Sequence, residues 1–364
     1  MIYVIGADFA GLRFANYLSD LSLDYFIFDK KPDLTPDMGD YIVLNNNLME
    51  KYDLKRLGNS ALVGALDSVK FHSPYGKVTE IDIKDNYSIY DKSTIEYLLY
   101  KKLQNRNKDI VFSARFFDYN LNNNNVFFEE NGKGTLRKAE IIIGSDGVYS
   151  NVRDKLFNYG LEKRNLVYCK IKGNFDTKVL DYYLSGAVKN LYRQICPINS
   201  KEAYLVSSEI SKESLDSFLY KGGWEIDGEV RYKEMILYNG KKPLLGDRCA
   251  LLGTAGGIND NLSGNNFFES LKSVDVCFDV FKQAFKKNKF GAKDKFNFSR
   301  QNFLYDSLFT YLDEKAKKRR ELLSFTENKL DKVVTRLAKK KIDLNSPYPF
   351  EILESGIKKK FLFF

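Results

Sequence analysis

The sequence predicts an α/β protein built on a parallel sheet, with a β-rich second domain and a helical C-terminal region. Three observations carry this. Residues 1–30 read as an apolar strand, a glycine turn, a helix with small residues and a second apolar strand ending in an acid. A strand–glycine–helix order returns at Gly246-Asp-Arg-Cys-Ala-Leu-Leu-Gly253-Thr254-Ala-Gly-Gly257, where a long helix follows the loop. Between them, residues 165–238 alternate apolar and polar positions and are rich in tyrosine, the pattern of half-buried strands.

The first stretch is Met1-Ile-Tyr-Val-Ile-Gly6-Ala7-Asp8-Phe9-Ala10-Gly11, continued by Tyr25-Phe-Ile-Phe-Asp29-Lys30. It is the opening of a Rossmann-like dinucleotide fold. Gly6 permits the tight turn and Gly11 lets helix and strand approach. The helix N-terminus offers free N–H groups to a pyrophosphate. Asp29 stands where a carboxylate takes ribose hydroxyls. The pattern's middle glycine is Asp8. A carboxylate about 4 Å from a phosphate, at an effective dielectric near 20, costs roughly 4 kcal/mol. Either Asp8 turns to cap the helix or nucleotide binds weakly.

The 364 residues are 44 % hydrophobic and 29 % charged, the balance of a folded chain of one or two domains. No apolar run reaches the length of a membrane span. Met1 leads straight into the first strand, so an intracellular, cytoplasmic protein is expected. Cys169, Cys196, Cys249 and Cys277 are widely spaced and read as buried thiols, with no metal or disulfide pattern. The single histidine, His72, argues against a His-based metal site or a Ser-His dyad and reads as a strand residue. The net charge of +9 gives either a solvated lysine-rich surface or attraction to anionic lipid. No nucleic-acid motif accompanies it, and no nucleic-acid partner is expected.

Along the chain, 33–40 is a Pro-bearing loop, and 61–70 and 76–83 are strands. A helix covers about 92–105, with Ile95, Leu98, Leu99 and Leu103 on one face. A strand follows at 109–113, then a hairpin turning at Asn131-Gly132. A buried strand then runs into Gly144-Ser-Asp146-Gly147-Val-Tyr-Ser150-Asn-Val-Arg153 and a helix. Beyond 290 the chain is helical and basic, ending in Lys358-Lys-Lys-Phe-Leu-Phe-Phe364. The expected domains are 1–62, 84–164 and 240–290 for nucleotide binding, and 63–83 and 165–239 for a β-rich substrate domain. Residues 291–364 form the basic helical region.

Three stretches, 6–11, 144–153 and 253–267, resemble in order the motifs of FAD-dependent oxidoreductases of the p-hydroxybenzoate hydroxylase type. Within these the sequence is most similar to the geranylgeranyl reductases. The likeness spans about residues 1–290. It implies a Rossmann-like FAD-binding domain with a β-rich substrate domain. By the resemblance, Gly6, Ala7, Asp8, Phe9, Ala10, Gly11 and Asp29 hold the ADP half of FAD, with Lys30 and Gly39 close by. Lys92 replaces the family's Arg and keeps its charge without the bidentate fork. Ala114 and Arg115 flank the adenine, and Asp146 and Gly147 support the pyrophosphate side. The ring is expected against Gly253, Thr254, Gly257, Gly264, Asn265, Asn266 and Phe267. Here Thr254 replaces the family's Asp, Asn261 its Pro and Asn266 its second loop Gly. The reductases' cavity motif Tyr-x-Trp-x-Phe-Pro reads Tyr192-Arg-Gln194-Ile-Cys196-Pro197, which makes Tyr192, Gln194, Cys196 and Pro197 the substrate candidates.

The resemblance implies a flavoenzyme that reduces double bonds of an isoprenoid lipid, with NAD(P)H or a ferredoxin as electron donor. The alternatives are an FAD monooxygenase or lycopene-cyclase-like enzyme, and a degenerate non-catalytic homologue that has lost FAD. Flavin supplies hydride itself, so the protein needs geometry and one proton donor. Tyr192 is the candidate donor, against its reading as an ordinary cavity-lining aromatic. The three lysines and four large apolar residues at 358–364 suit a docked tail or a reversible peripheral membrane contact.

Overall fold

The computed structural model describes residues 1–36, 40–185, 192–208, 211–260, 265–286, 298–340, 342 and 344–357. They fall into two compact units. The first is Met1–Asp37, Ser93–Lys163 and Ile236–Ala316; the second is Met38–Lys92, Arg164–Met235 and Lys317–Phe364. Residues 40–62, expected with the nucleotide fold, thus lie in the second unit, as do the helical residues beyond 317.

The first unit carries a six-stranded sheet in the order Leu245–Gly246, Cys249–Leu251, Ile141–Gly144, Ile2–Ile5, Tyr25–Phe28 and Ile110–Val111. Its pairs are parallel except for the edge pair 245–246 with 249–251. Strands buried on both faces need unbroken apolar runs. Val4, Ile27, Ile142 and Leu251 are accordingly fully buried. Helix Phe9–Asp20 packs on helix Phe267–Lys286 through Phe14 against Phe281 and through stacked Tyr17 and Phe278 (4.4 Å).

A three-stranded meander, Ala114–Asn120, Asn125–Glu130 and Lys133–Lys138, belongs to the same unit. Its hairpin turns at Asn131 and Gly132, φ 51° and 77°, the left-handed pair an Asn-Gly turn supplies. Phe116, Val126 and Phe128 face inward. Phe117, Phe127 and Leu136 stay exposed. Strand Lys133–Lys138 is an edge of this sheet.

The second unit holds an eight-stranded sheet, with Ser68–His72, Val179–Leu184, Tyr192–Pro197, Glu202–Ser207 and Glu162–Lys172 at its centre. One face is filled by Val167, Cys169, Ile171, Ile195 and Leu205 packed on Leu215 and Leu219 of helix Lys212–Gly222. The sequence reading gave this region little helix. Leu215 and Leu219 are a lone four-residue pair among lysines and acids, too short a pattern to declare the helix. Ser211 caps its start and Gly223, φ 67°, ends it.

The expected strand 61–70 is two strands, Leu62–Ala65 and Ser68–His72, in different sheets. Between them the backbone changes partner: the Leu66 N–H donates to Tyr87 and the Asp67 N–H to Lys178. His72 is a strand residue, bonded to Asp181 at 2.6 Å and stacked on Tyr183. All four cysteines are buried and unpaired by disulfide. Among the described residues no helix is long and apolar enough to cross a membrane. The tail 358–364 lies outside them.

Candidate functional site

In the first unit, strand Ile2–Ile5 runs into Gly6 at φ 103°. A Cβ there would lie 2.3 Å from the Ser145 carbonyl oxygen. One at Gly11 would lie 2.1 Å from the Gly6 carbonyl oxygen and 2.3 Å from Ser145 Oγ. Ser145 Oγ donates to the Gly6 carbonyl at 2.7 Å and so locks loop, helix and strand together. Both glycines are required by close backbone approach, as the motif predicts.

Asp8 is the N-cap of helix Phe9–Asp20; its Oδ1 accepts the Gly11 N–H at 3.1 Å. Of the two alternatives for this residue, the carboxylate takes the cap. The Phe9 N–H is also bonded, to Glu96 Oε1 at 3.1 Å. Asp29, buried at the end of strand Tyr25–Phe28, accepts the Ala7 N–H at 2.5 Å on Oδ2 and the Lys31 N–H at 2.7 Å on Oδ1. A carboxylate has about four acceptor positions, so ribose hydroxyls find lone pairs here. Ala114 adjoins it, its N–H donating to the Asp29 carbonyl at 2.8 Å. Lys30 and Arg115 are exposed, with the Arg115 guanidinium over Phe117.

Asp146 spans its own turn. Ser150 Oγ donates to Oδ1 at 2.5 Å and the Val152 N–H to Oδ2 at 3.2 Å. Gly147, φ 80°, has nothing within 4 Å of a Cβ position. Burial pushes the Asp146 carboxyl up to about 6, outweighing the hydrogen bonds from Ser150 and Val152. An acid raised above its ordinary value contributes stability below its unfolded pKa of 3.8. That contribution is lost as pH rises through about 6. Urea unfolding should therefore show the wild type losing stability relative to Asp146→Asn between pH 4 and 6, with the difference flat above that window. An equal pH response in both proteins would contradict it.

The second glycine loop closes on the same region. Gly253, φ 53°, donates its N–H to Ser273 Oγ at 3.0 Å, and a Cβ on it would sit 3.3 Å from the Ala10 Cβ. Gly257, φ 78°, donates to the Thr254 carbonyl at 3.1 Å. Asn265 Oδ1 accepts the Asn266 and Phe267 N–H groups at 2.8 and 3.2 Å and caps helix Phe267–Lys286. Phe9 and Phe267, at the first positions of the two helices, stack at 4.0 Å. The two helix N-termini thus converge.

Three residues outside the expected set build this geometry. Ser145 and Glu96 act as above. Arg153 is 3 % exposed; it donates from Nη1 to the Ala255 carbonyl and from Nη2 to the Val148 carbonyl, each at 3.2 Å. It ties the Asp146 turn to the Gly253–Gly257 loop. Its motif position and its place after an apolar stretch were the available signals. Nothing in the sequence marks Glu96. Gly39 and Gly264 lie outside the described residues, as does Asn261.

Lys92 and the substrate candidates belong to the second unit. Lys92 Nζ is 3.7 Å from Asp40, which also binds Lys233 at 2.9 Å. The two lysines hold the Asp40 carboxyl well below the usual range against the opposing effect of burial. Tyr192, Gln194 and Cys196 share one face of their strand, opposite the face packed on helix Lys212–Gly222. Pro197 alternates onto the face of Ile195 and stands apart from them. Tyr192 is buried, 4.4 Å from the Phe350 ring and 5.5 Å from Tyr182. Burial pushes the Cys196 thiol up to about 12.

No family model matches the chain. It is similar to a geranylgeranyl bacteriochlorophyll reductase-like protein from Thermoplasma acidophilum, with a TM-score of 0.80 and 15 % identity over 97 % of this chain and 94 % of that one. A p-nitrophenol 4-monooxygenase from Pseudomonas putida superposes with a TM-score of 0.68 at 10 % identity, covering 97 % and 95 %. HpxO from Klebsiella pneumoniae, solved with FAD, gives 0.60 at 14 %, covering 93 % and 97 %. By sequence, an FAD-dependent monooxygenase from Penicillium ochrochloron is 23 % identical over 168 residues, 43 % of this chain. The match spans only 39 % of that relative's length. The fold is that of the FAD-dependent hydroxylase-type flavoproteins.

The residues fit the adenosine end of FAD. Asp29 faces the Ala7 amide, and Gly6 and Gly11 hold a cradle that a Cβ would fill. At the phosphate end the amides of Phe9 and Gly11 are suitably placed, with Glu96 and Asp8 bonded to them.

Proposed function

We propose that the chain is an FAD-dependent oxidoreductase. The observation that carries this is the pair of strand–glycine–helix units whose N-termini meet at Phe9 and Phe267 beside the Asp29 carboxylate. When bound, FAD supplies the redox chemistry through its ring system. The chain's part is to bind and orient. Asp29 takes ribose hydroxyls, the helix amides face the pyrophosphate, and Arg153 fixes the loop at 253–257.

The finer reading is reduction of double bonds in an isoprenoid, geranylgeranyl-type lipid. The whole-length likeness to the Thermoplasma acidophilum protein supports it, as does the aromatic face of Tyr182, Tyr192 and Phe350 in the second unit. Electrons come from NAD(P)H or a ferredoxin, and the lysine-rich tail provides a peripheral membrane contact. Tyr192 is the proton donor in this scheme. A second reading, an FAD monooxygenase, is favoured by the Penicillium relative.

The test is direct. Purified protein titrated with FAD should quench flavin fluorescence saturably. Incubation with NAD(P)H and a geranylgeranyl lipid should add pairs of hydrogens by mass spectrometry. Addition of one oxygen instead selects the monooxygenase. Absence of any FAD uptake overturns both readings in favour of a homologue that has lost the cofactor, the reading that Thr254 and Asn266 support.

A further inference from the structure

This inference rests on the FAD reading and concerns how tightly the cofactor is held. A helix N-terminus offers its first amides to a phosphate. Here Gly11 N–H is capped by Asp8 and Phe9 N–H by Glu96, each at 3.1 Å. The two carboxylates differ in origin. Asp8 is the local N-cap, three residues from its donor, and comes with the turn. Glu96 lies 87 residues from Phe9, on helix Lys92–Gln104, and the first helix does not need it to form.

Its delivery is built into the packing. Ile95, Leu99 and Leu103 are fully buried and fix the rotation of their helix. Asn16 Nδ2 donates to the Leu12 carbonyl of its own helix and to the Leu99 carbonyl of the other, at 2.9 and 3.2 Å. The two helices are thereby pinned where Glu96 reaches the Phe9 amide.

We propose that Glu96 is an internal stand-in for a cofactor phosphate. It takes the amide that a phosphate oxygen uses, so FAD binds only by displacing it and remains in exchange with solution. Glu96 is then the residue that sets cofactor affinity, with Asp8 adding to the same charge opposition.

The test uses the full chain and three probes, FAD, ADP and adenosine, titrated into wild type, Glu96→Gln and Asp8→Asn. Both substitutions keep an oxygen acceptor for the helix amide and remove only charge, so circular dichroism should be unchanged. Glu96→Gln should tighten FAD and ADP by roughly ten- to a hundredfold and leave adenosine, which has no phosphate, unchanged. Unchanged or weaker FAD binding by Glu96→Gln, with wild type binding, overturns the proposal while the FAD reading stands. Equal tightening of adenosine also overturns it, because the effect is then one of packing. If no protein binds any probe, the FAD reading fails and the proposal with it.

Discussion

Gly11→Ala should cost the protein about 3 kcal/mol or more, well beyond an ordinary helix substitution. The added methyl carbon would lie 2.1 Å from the Gly6 carbonyl oxygen and 2.3 Å from Ser145 Oγ. Neither neighbour can step aside cheaply. Gly6 is held at φ 103° with its N–H on the Phe28 carbonyl at 2.8 Å, and Ser145 Oγ is itself bonded to Gly6. Urea unfolding measures the loss. Gly134→Ala is the control, since a Cβ there meets nothing within 4 Å and its stability change should stay within about 0.5 kcal/mol. Similar midpoints for the two variants would mean the close approach is not real.

Arg153→Leu has the second large expected effect. It leaves the Ala255 and Val148 carbonyls without a donor in a buried place and should cost about 2–5 kcal/mol. The loss should also be local. Amide hydrogen exchange at residues 253–257 and 147–152 should accelerate more than in the sheet. Arg153→Lys should fall between, because one ammonium cannot reach both carbonyls with a planar fork. Uniform acceleration across the first unit would point to a general packing defect instead.

These two residues also measure what the sequence exposes. Gly6, Gly11 and Asp29 were legible because their roles are local, a turn, a close approach and a strand-end acid within thirty residues. The hairpin at Asn131-Gly132 and helix Lys92–Gln104 were legible for the same reason. Asp8 was legible only as a choice, since capping and charge opposition leave the same residue in the sequence. The contact between Glu96 and Phe9 depends on helix docking across 87 residues, and no local pattern encodes that. The split of 61–70 failed similarly. A continuous apolar run hides the exchange of partners from Tyr87 to Lys178. Pro197 was grouped with its motif neighbours, and strand alternation turned it to the other face.

The meander of the first unit carries a consequence for the molecule in crowded solution. Its edge strand exposes backbone groups able to pair with another chain, beside the exposed rings of Phe117 and Phe127 and the Leu136 side chain. The strand is short and carries Lys133, Arg137 and Lys138. Two copies meeting edge to edge would oppose like charges along the whole strand. These cations act as gatekeepers, letting a sticky surface persist without templating aggregation.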